Sequence, residues 1–282
     1  MSPATLEILD HVYPGLAFFL GLLLGSFYNV CVHRYLSGES IVFPGSKCPK
    51  CDHPLAWWEN IPVVSFLILR GRCRACAKPI SWRYPLVELV SGLWAFGLAL
   101  KFPLHLTTAA YSTGWEWSLG VFGVHMVIGG ILIVASFIDF DSYILPDILT
   151  LPGAVLALAG AYFVLRPALG WPTLTESLVG AAIGGGLFWL LQFLYRKLKG
   201  MEGLGTGDIK LMLLLGAWSG WASLPFVLLA AGVTAIFGYI VYNRMNQSEE
   251  PTMVPFGPFL SLGGMLYVLF GDWYWAYLGG GM

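Results

Sequence analysis

The stretch VFGVHMVIGGILIVASFID, residues 121–139, is an apolar run closed by a carboxylate. It is long enough to cross a bilayer as a helix, which takes about 20 mostly apolar residues. A carboxylate at the end of such a run is costly unless it has a task. A second run mirrors the first: Gly205-Thr206-Gly207-Asp208 opens the apolar stretch 209–218. Two carboxylates gathered at one membrane face can share a proton and activate water. That pairing suits hydrolysis of a peptide bond, with Asp139 and Asp208 as the candidate catalytic pair.

The rest of the chain agrees with a membrane setting. Of its 282 residues 57% are hydrophobic and only 11% charged, where a soluble domain carries about 25% charged residues. The mean hydropathy is +0.72. A net charge of −1 offers no grip on nucleic acid. The 35 glycines include the spacings Gly21-xxx-Gly25, Gly180-xxx-Gly184 and Gly216-xxx-Gly220, which let membrane helices pack closely.

Read in order, the apolar candidates lie at about residues 14–32, 86–100, 119–138, 148–165, 178–198, 209–218, 224–242 and 254–270. The sixth is short and either ends before Trp221 or continues through it. The expected fold is an all-α polytopic membrane protein with about eight transmembrane helices. Residues 1–32 form a first transmembrane helix and 85–282 a transmembrane core. Between them, residues 33–84 are polar, basic and cysteine-bearing, and read as a small extramembrane domain. Its apolar stretch 61–69 is too short to span and is expected to be a buried strand.

Thirteen of the fifteen lysines and arginines fall on the side of the cysteine-rich segment, against Lys101 and Arg166 opposite. Basic loops stay in the cytoplasm. The N-terminus is therefore expected outside, with the cysteine-rich domain, Asp139 and Asp208 all at the cytoplasmic face.

Cys48-Pro-Lys-Cys51 and Cys73-Arg-Ala-Cys76 are separated by 21 residues. Two such pairs present four thiolates in a tetrahedron and suit structural Zn²⁺. An all-cysteine set leaves no open position for catalysis, so a zinc hydrolase is not expected here. Cys31, inside the first span, reads as a packing residue. His53 is a weaker competitor for the metal.

At the exit of the third span three acids lie close together: Asp139, Asp141 and Asp147. Asp147 precedes an apolar run and reads as a helix cap, and Asp141 as a solvated loop residue. Asp139 abuts the apolar run, but spacing alone does not choose among them. Asp208 reads equally as the N-cap of the sixth span. Glu88, after Arg83-Tyr84-Pro85, reads as a boundary acid that either snorkels or is ion-paired, with Arg83 as the candidate partner. Pro255-Phe256-Gly257-Pro258 reads as a bend at the start of the last span.

Taken together and in order, these motifs resemble the bacterial type IV prepilin peptidases, also called prepilin leader peptidase/N-methyltransferases. The residues are Gly25-Ser26-Phe27 with Asn29, the two cysteine pairs, Asn60-Ile61-Pro62, Leu69-Arg70-Gly71, Arg83-Tyr84-Pro85 with Glu88, Asp139 through Leu145-Pro146-Asp147, Gly205-Thr206-Gly207-Asp208, and Pro255-Phe256-Gly257-Pro258. The likeness covers nearly the whole chain, and its departures, such as Tyr28 and Cys31, touch no expected catalytic position. The Gly-x-Gly-Asp motif is also shared with presenilin-like intramembrane proteases. The resemblance implies that Asp139 and Asp208 are the catalytic pair. It implies prepilin or pseudopilin substrates in a lipid bilayer, cut after a glycine, and location in the bacterial inner membrane. It implies methylation of the new N-terminus with S-adenosylmethionine, for which no fingerprint is found among the residues. Two rivals are a transporter using the aspartates as a proton relay and a non-enzymatic, zinc-stabilised assembly scaffold.

Overall fold

A computed structural model describes residues 3–43, 45–104, 114–200, 205–246 and 254–278. Among the described residues the regular structure is helical: α1 (Pro3–Ser37), α2 (Val64–Ile68), α3 (Arg83–Lys101), α4 (Trp115–Ser142), α5 (Asp147–Gly160), α6 (Arg166–Leu169), α7 (Leu174–Lys199), α8 (Thr206–Ser219), α9 (Leu224–Asn246) and α10 (Gly257–Tyr277). A π-helical turn, Ala161–Leu165, joins α5 to α6. Each of the eight apolar segments has a helix of its own, although the fourth continues from α5 into the π-helical turn and the last begins three residues before α10. Five stretches are long and apolar enough to cross a membrane: Ile8–Ser37, Glu116–Ser142, Asp147–Leu169, Leu174–Lys199 and Trp221–Arg244.

The expected strand at 61–69 is instead the short helix α2 after a 3₁₀ turn, Trp57–Asn60. The reason lies in its partners. A strand needs a neighbour to take its backbone groups, and the two antiparallel bridges, Lys47 with Pro54 and Arg72 with Pro79, are spent inside the cysteine loops. The segment satisfies its own backbone locally, with Ser65 N–H on Ile61 O at 3.0 Å and Leu69 N–H on Ser65 O at 2.9 Å.

The chain forms two compact units, Met1–Phe122 and Gly123–Met282. In the first, α1 lies along α3. A Cβ on Gly21 would stand 2.4 Å from Ser91 O, and one on Gly25 would stand 2.6 Å from Glu88 Cα. Glycine spacing thus sets this contact, as the sequence predicted.

The second unit is built around α8. Leu211, Met212, Leu214, Leu215, Ala217 and Trp218 are all fully buried. At 14 residues the helix is about 21 Å long, short of the roughly 30 Å hydrocarbon core. It ends at Ser219, before Trp221. Gly220 closes it at φ +75°, its N–H bonded to Gly216 O at 2.9 Å. α7 crosses α8 at glycines: a Cβ on Gly216 would stand 2.1 Å from Gly180 O, and one on Gly184 would stand 2.5 Å from Met212 O. α5 and α10 meet α8 at Gly153 against Leu214 and Gly264 against Leu215.

At Gly216 and Gly184 no added methyl group is tolerated, because the obstacle there is backbone and cannot rotate away. Gly216→Ala is expected to cost about 1–3 kcal/mol or more. Gly186→Ala, whose Cβ would meet nothing within 4 Å, is the control. Thermal unfolding in detergent should show a lowered midpoint for the first variant only.

Candidate active site

Asp139 lies on the last turns of α4, next to fully buried Ile138, and is itself only 5% exposed. α4 stops three residues later. Tyr143 takes φ +56°, and its N–H bonds Asp139 O at 2.8 Å, a left-handed helix end. The turn then drives Leu145 into the interior.

Asp208 is the third residue of α8, so the N-cap is Gly205 and not Asp208. The Asp208 carboxylate instead reaches back to accept from the Gly205 N–H, one half of a capping box. The capping expectation was right about the helix end and wrong about the position. That bond fixes the carboxylate's direction at the helix N-terminus, where the macrodipole favours negative charge.

Leu145 brings these elements together. A Cβ on Gly207 would stand 2.8 Å from Leu145 Cβ, and one on Gly257 would stand 3.0 Å from Leu145 Cδ1. Gly257, first residue of α10, also faces the acid: a Cβ there would stand 2.6 Å from Asp139 Oδ2. The Gly257 N–H donates to the Asp139 carboxylate. Asp139 and Asp208 lie within electrostatic reach of each other. The Pro-Phe-Gly-Pro bend therefore does more than shape a helix, since its glycine amide holds one of the two carboxylates.

The other acids of the α4 exit are placed differently. Asp141 is exposed. Asp147 is not the cap of α5, since Pro146 holds that position. Its carboxylate pairs with Lys210 Nζ at 2.5 Å, tying the first turn of α5 to the second turn of α8. Glu88 is buried and accepts from the Val63 N–H at 2.7 Å, a bond to backbone in place of the expected pairing with Arg83.

One feature of the unit escaped the sequence reading. Trp218 Nε1 donates to His125 Nδ1 at 3.0 Å, and both residues are buried. The bond links α4 to α8, the two helices that carry the aspartates. A lone histidine in an apolar run and a tryptophan near a helix end gave no sign of being partners.

The four cysteines of the first unit converge as expected. The Sγ atoms of Cys48, Cys51, Cys73 and Cys76 all lie within 4.8 Å of one another. Cys51 and Cys73 are 3.9 Å apart, close to the ~3.8 Å edge of a tetrahedron with metal–sulfur bonds of about 2.3 Å. The two loops repeat each other. Cys48 N–H bonds His53 O and Asp52 N–H bonds Cys48 O, both at 2.9 Å. Cys73 N–H bonds Lys78 O and Ala77 N–H bonds Cys73 O, also at 2.9 Å. Asp52 and Ala77 both take φ +56°. Backbone N–H groups of Cys76 and Ala75 hold the Cys73 thiol down to about 6, favouring the thiolate that a metal requires. The geometry fits a closed four-thiolate metal centre. His53 is not part of it; its Nε2 lies 3.6 Å from Glu59 Oε2.

Metal analysis of the purified full chain should give about one ion per chain, falling towards none in Cys51→Ser. A lowered thiol contributes above its own titration and is lost below it, so retention should fall as acid protonates the thiolates. Full retention by Cys51→Ser would refute the centre.

Comparison with known proteins places both units. Residues 19–102 match the bacterial peptidase A24 N-terminal domain, and residues 126–240 match the type IV leader peptidase family. The chain is 38% identical to the prepilin leader peptidase/N-methyltransferase of Stutzerimonas stutzeri, over 91% of this chain and 90% of that one. It is 37% identical to the protein of the same name in Aeromonas hydrophila, over 94% of this chain and 95% of that one. With the Pseudomonas aeruginosa protein of that name the identity is 38%, over 90% and 89%. No solved structure matches it. A multi-pass helical chain with these two matches, related over nearly its whole length to enzymes of one name, belongs to the type IV leader peptidase family.

Proposed function

We propose that this protein removes the leader peptide from type IV prepilins or type II secretion pseudopilins, using Asp139 and Asp208, and then methylates the new N-terminus. The observation that carries the first half is the gathering of these two acids, 69 residues apart in sequence, around Leu145 and Gly257. The second half rests on the name shared by the relatives.

In the proposed mechanism the pair holds one proton between them. Like charges so close resist double ionisation, so the titration belongs to the pair. The ionised carboxylate takes a proton from water as that water attacks the scissile carbonyl carbon. The protonated one donates to the carbonyl oxygen and later helps protonate the leaving amine. The Gly257 amide steadies Asp139, and the Gly205 amide steadies Asp208. Both aspartates stand at helix ends and not midway along a span, which favours a surface-delivered peptide over a proton relay. With the basic loops inside, the substrate's charged leader meets the pair at the cytoplasmic face of the inner membrane, while its apolar helix lies in lipid. Residues 33–84 form the cytoplasmic domain, with structural Zn²⁺ on Cys48, Cys51, Cys73 and Cys76. Bound S-adenosylmethionine would supply an electrophilic methyl carbon for the second reaction.

Asp139→Asn and Asp208→Asn should each abolish leader cleavage in purified, folded protein. Normal processing of a prepilin by either would sink the aspartyl mechanism. Gly257→Ala should lower the cleavage rate by about 10- to 100-fold without unfolding the protein, since a catalytic group displaced by about 1 Å costs that much. Mass analysis of the product N-terminus, with and without S-adenosylmethionine, reads both activities.

A further inference from the structure

The apolar stretch 61–69 is too short to span a bilayer, and neither the metal centre nor the aspartate pair explains it. At about 3.6 residues per turn, α2 has two distinct sides. Ser65, Phe66 and Leu69 line a cavity of the first unit. Val64, Leu67 and Ile68 lie on the other side and are exposed, Leu67 by 64% and Ile68 by 66%. Ile61, just before the helix, is exposed as well. So are Trp57 and Trp82, by 82% and 74%, and Trp82 lies beside α2 against the ring of Phe66. So many exposed apolar side chains on and around one short helix mark a partner or a membrane.

The depth of α2 decides between them. Its start is tied to α3, because the Val63 N–H donates to Glu88 Oε2 at 2.7 Å. Glu88 is the sixth residue of α3, about 7.5 Å along the axis from Arg83. Opposite it lies Gly25 of α1, where a Cβ would stand 2.6 Å from Glu88 Cα. Gly25 belongs to Ile8–Ser37, a stretch long and apolar enough to cross a membrane. It lies about 10 Å inside the end of the apolar run 14–32. One glutamate side chain separates Val63 from that level. α2 therefore stands where headgroups meet acyl chains, the depth of about 5–10 Å at which interfacial helices rest. Its backbone suits that place. Besides the two bonds already described within the segment, Gly71 N–H bonds Phe66 O at 2.8 Å, and lipid penalises backbone groups left unpaired. The flanking charges fit too. No residue from Ile61 to Val87 is acidic, whereas Arg70, Arg72, Arg74, Lys78 and Arg83 are basic. Cations beside an apolar face attract anionic headgroups, and exposed tryptophans favour the membrane–water boundary.

We infer that the outer side of α2, with Ile61, Trp57 and Trp82 around it, is seated in the lipid of the cytoplasmic leaflet. The cysteine-rich domain is then held to the bilayer by its own surface as well as by the two helices it joins. Leu67 and Ile68 enter the acyl boundary, and Arg70 and Arg72, just beyond them, meet the phosphates. The seating requires that α1 cross the membrane with its C-terminal end inside, and it is independent of the cleavage and methyl-transfer chemistry.

The test uses the full chain in vesicles of phosphatidylcholine and phosphatidylglycerol. A benzophenone-bearing amino acid is placed at Leu67, at Ile68 or, on the opposite side of α2, at Ser65. After ultraviolet irradiation the adducts are identified by mass. Leu67 and Ile68 should yield phospholipid adducts, and Ser65 should yield none. Adducts from Leu67 and Ile68 to protein alone, whether a second copy or residues 123–282, would overturn the seating. Equal lipid labelling from all three positions would overturn it as well. A second arm places the probe at Val64 and substitutes its neighbours. The lipid adduct should be lost with Leu67→Asp and Ile68→Asp together and kept with Leu67→Met and Ile68→Leu. Unchanged labelling in the aspartate variant would again refute the seating. Leader cleavage in the same vesicles is read separately: its absence from the unsubstituted protein would bring down the catalytic reading and leave the lipid contact standing.

Discussion

The second unit depends on two backbones meeting at glycine. α8 is too short to cross a bilayer, and its termini leave backbone groups without helical partners. In lipid each such group would be costly. The helix is viable because protein encloses it, and α7 comes so close that Gly180 and Gly216 occupy each other's Cβ space. Gly153 of α5 and Gly264 of α10 admit Leu214 and Leu215 of α8 in the same way. Close packing of this kind is not continuously deformable. It fixes where the first turn of α8 begins, and so where Asp208 stands.

A second constraint acts at that turn. Leu145 occupies the space next to both Gly207 and Gly257, and a methyl group at either would collide with it. The glycines beside the two aspartates are thus not merely permissive hinges. They let one leucine draw the end of α4, the start of α8 and the start of α10 to one place. The Gly257 N–H then has Asp139 in front of it, and the Gly205 N–H has Asp208. Each carboxylate is steadied by a backbone donor, which has no rotamer to lose.

Much of this was legible because it is local or periodic. Apolar runs marked eight helices, and GxxxG spacing named the residues at which α1 meets α3 and α7 meets α8. Two CxxC pairs named the thiolates. What escaped depended on partners distant in sequence. His125 and Trp218 are 93 positions apart, and nothing near either announces the other. Asp147 sits where a cap would, yet Pro146 caps the helix and Asp147 is engaged by Lys210. Glu88 and Arg83 are near enough to suggest an ion pair, but Glu88 serves the backbone of Val63. The stretch 61–69 has strand-like composition but no strand to pair with.

The cysteine-rich segment shows why a metal belongs to its order. Its apolar side chains do not make a core. Trp57, Val64, Leu67, Ile68 and Trp82 are exposed; Phe66, packed on Trp82 with ring centroids 4.8 Å apart, is buried, as are Pro62 and two of the cysteines. So small a segment without a core needs another source of stability. Its loops also carry residues at positive φ, Asp52, Val63, Arg70 and Ala77, which an unconstrained chain would relax. Four thiolates on one ion supply folding free energy outright. Once both cysteine loops are closed, His53 and Glu59 are held a few residues away from the first of them. All four positions on such an ion would be filled by protein, with none left for a substrate.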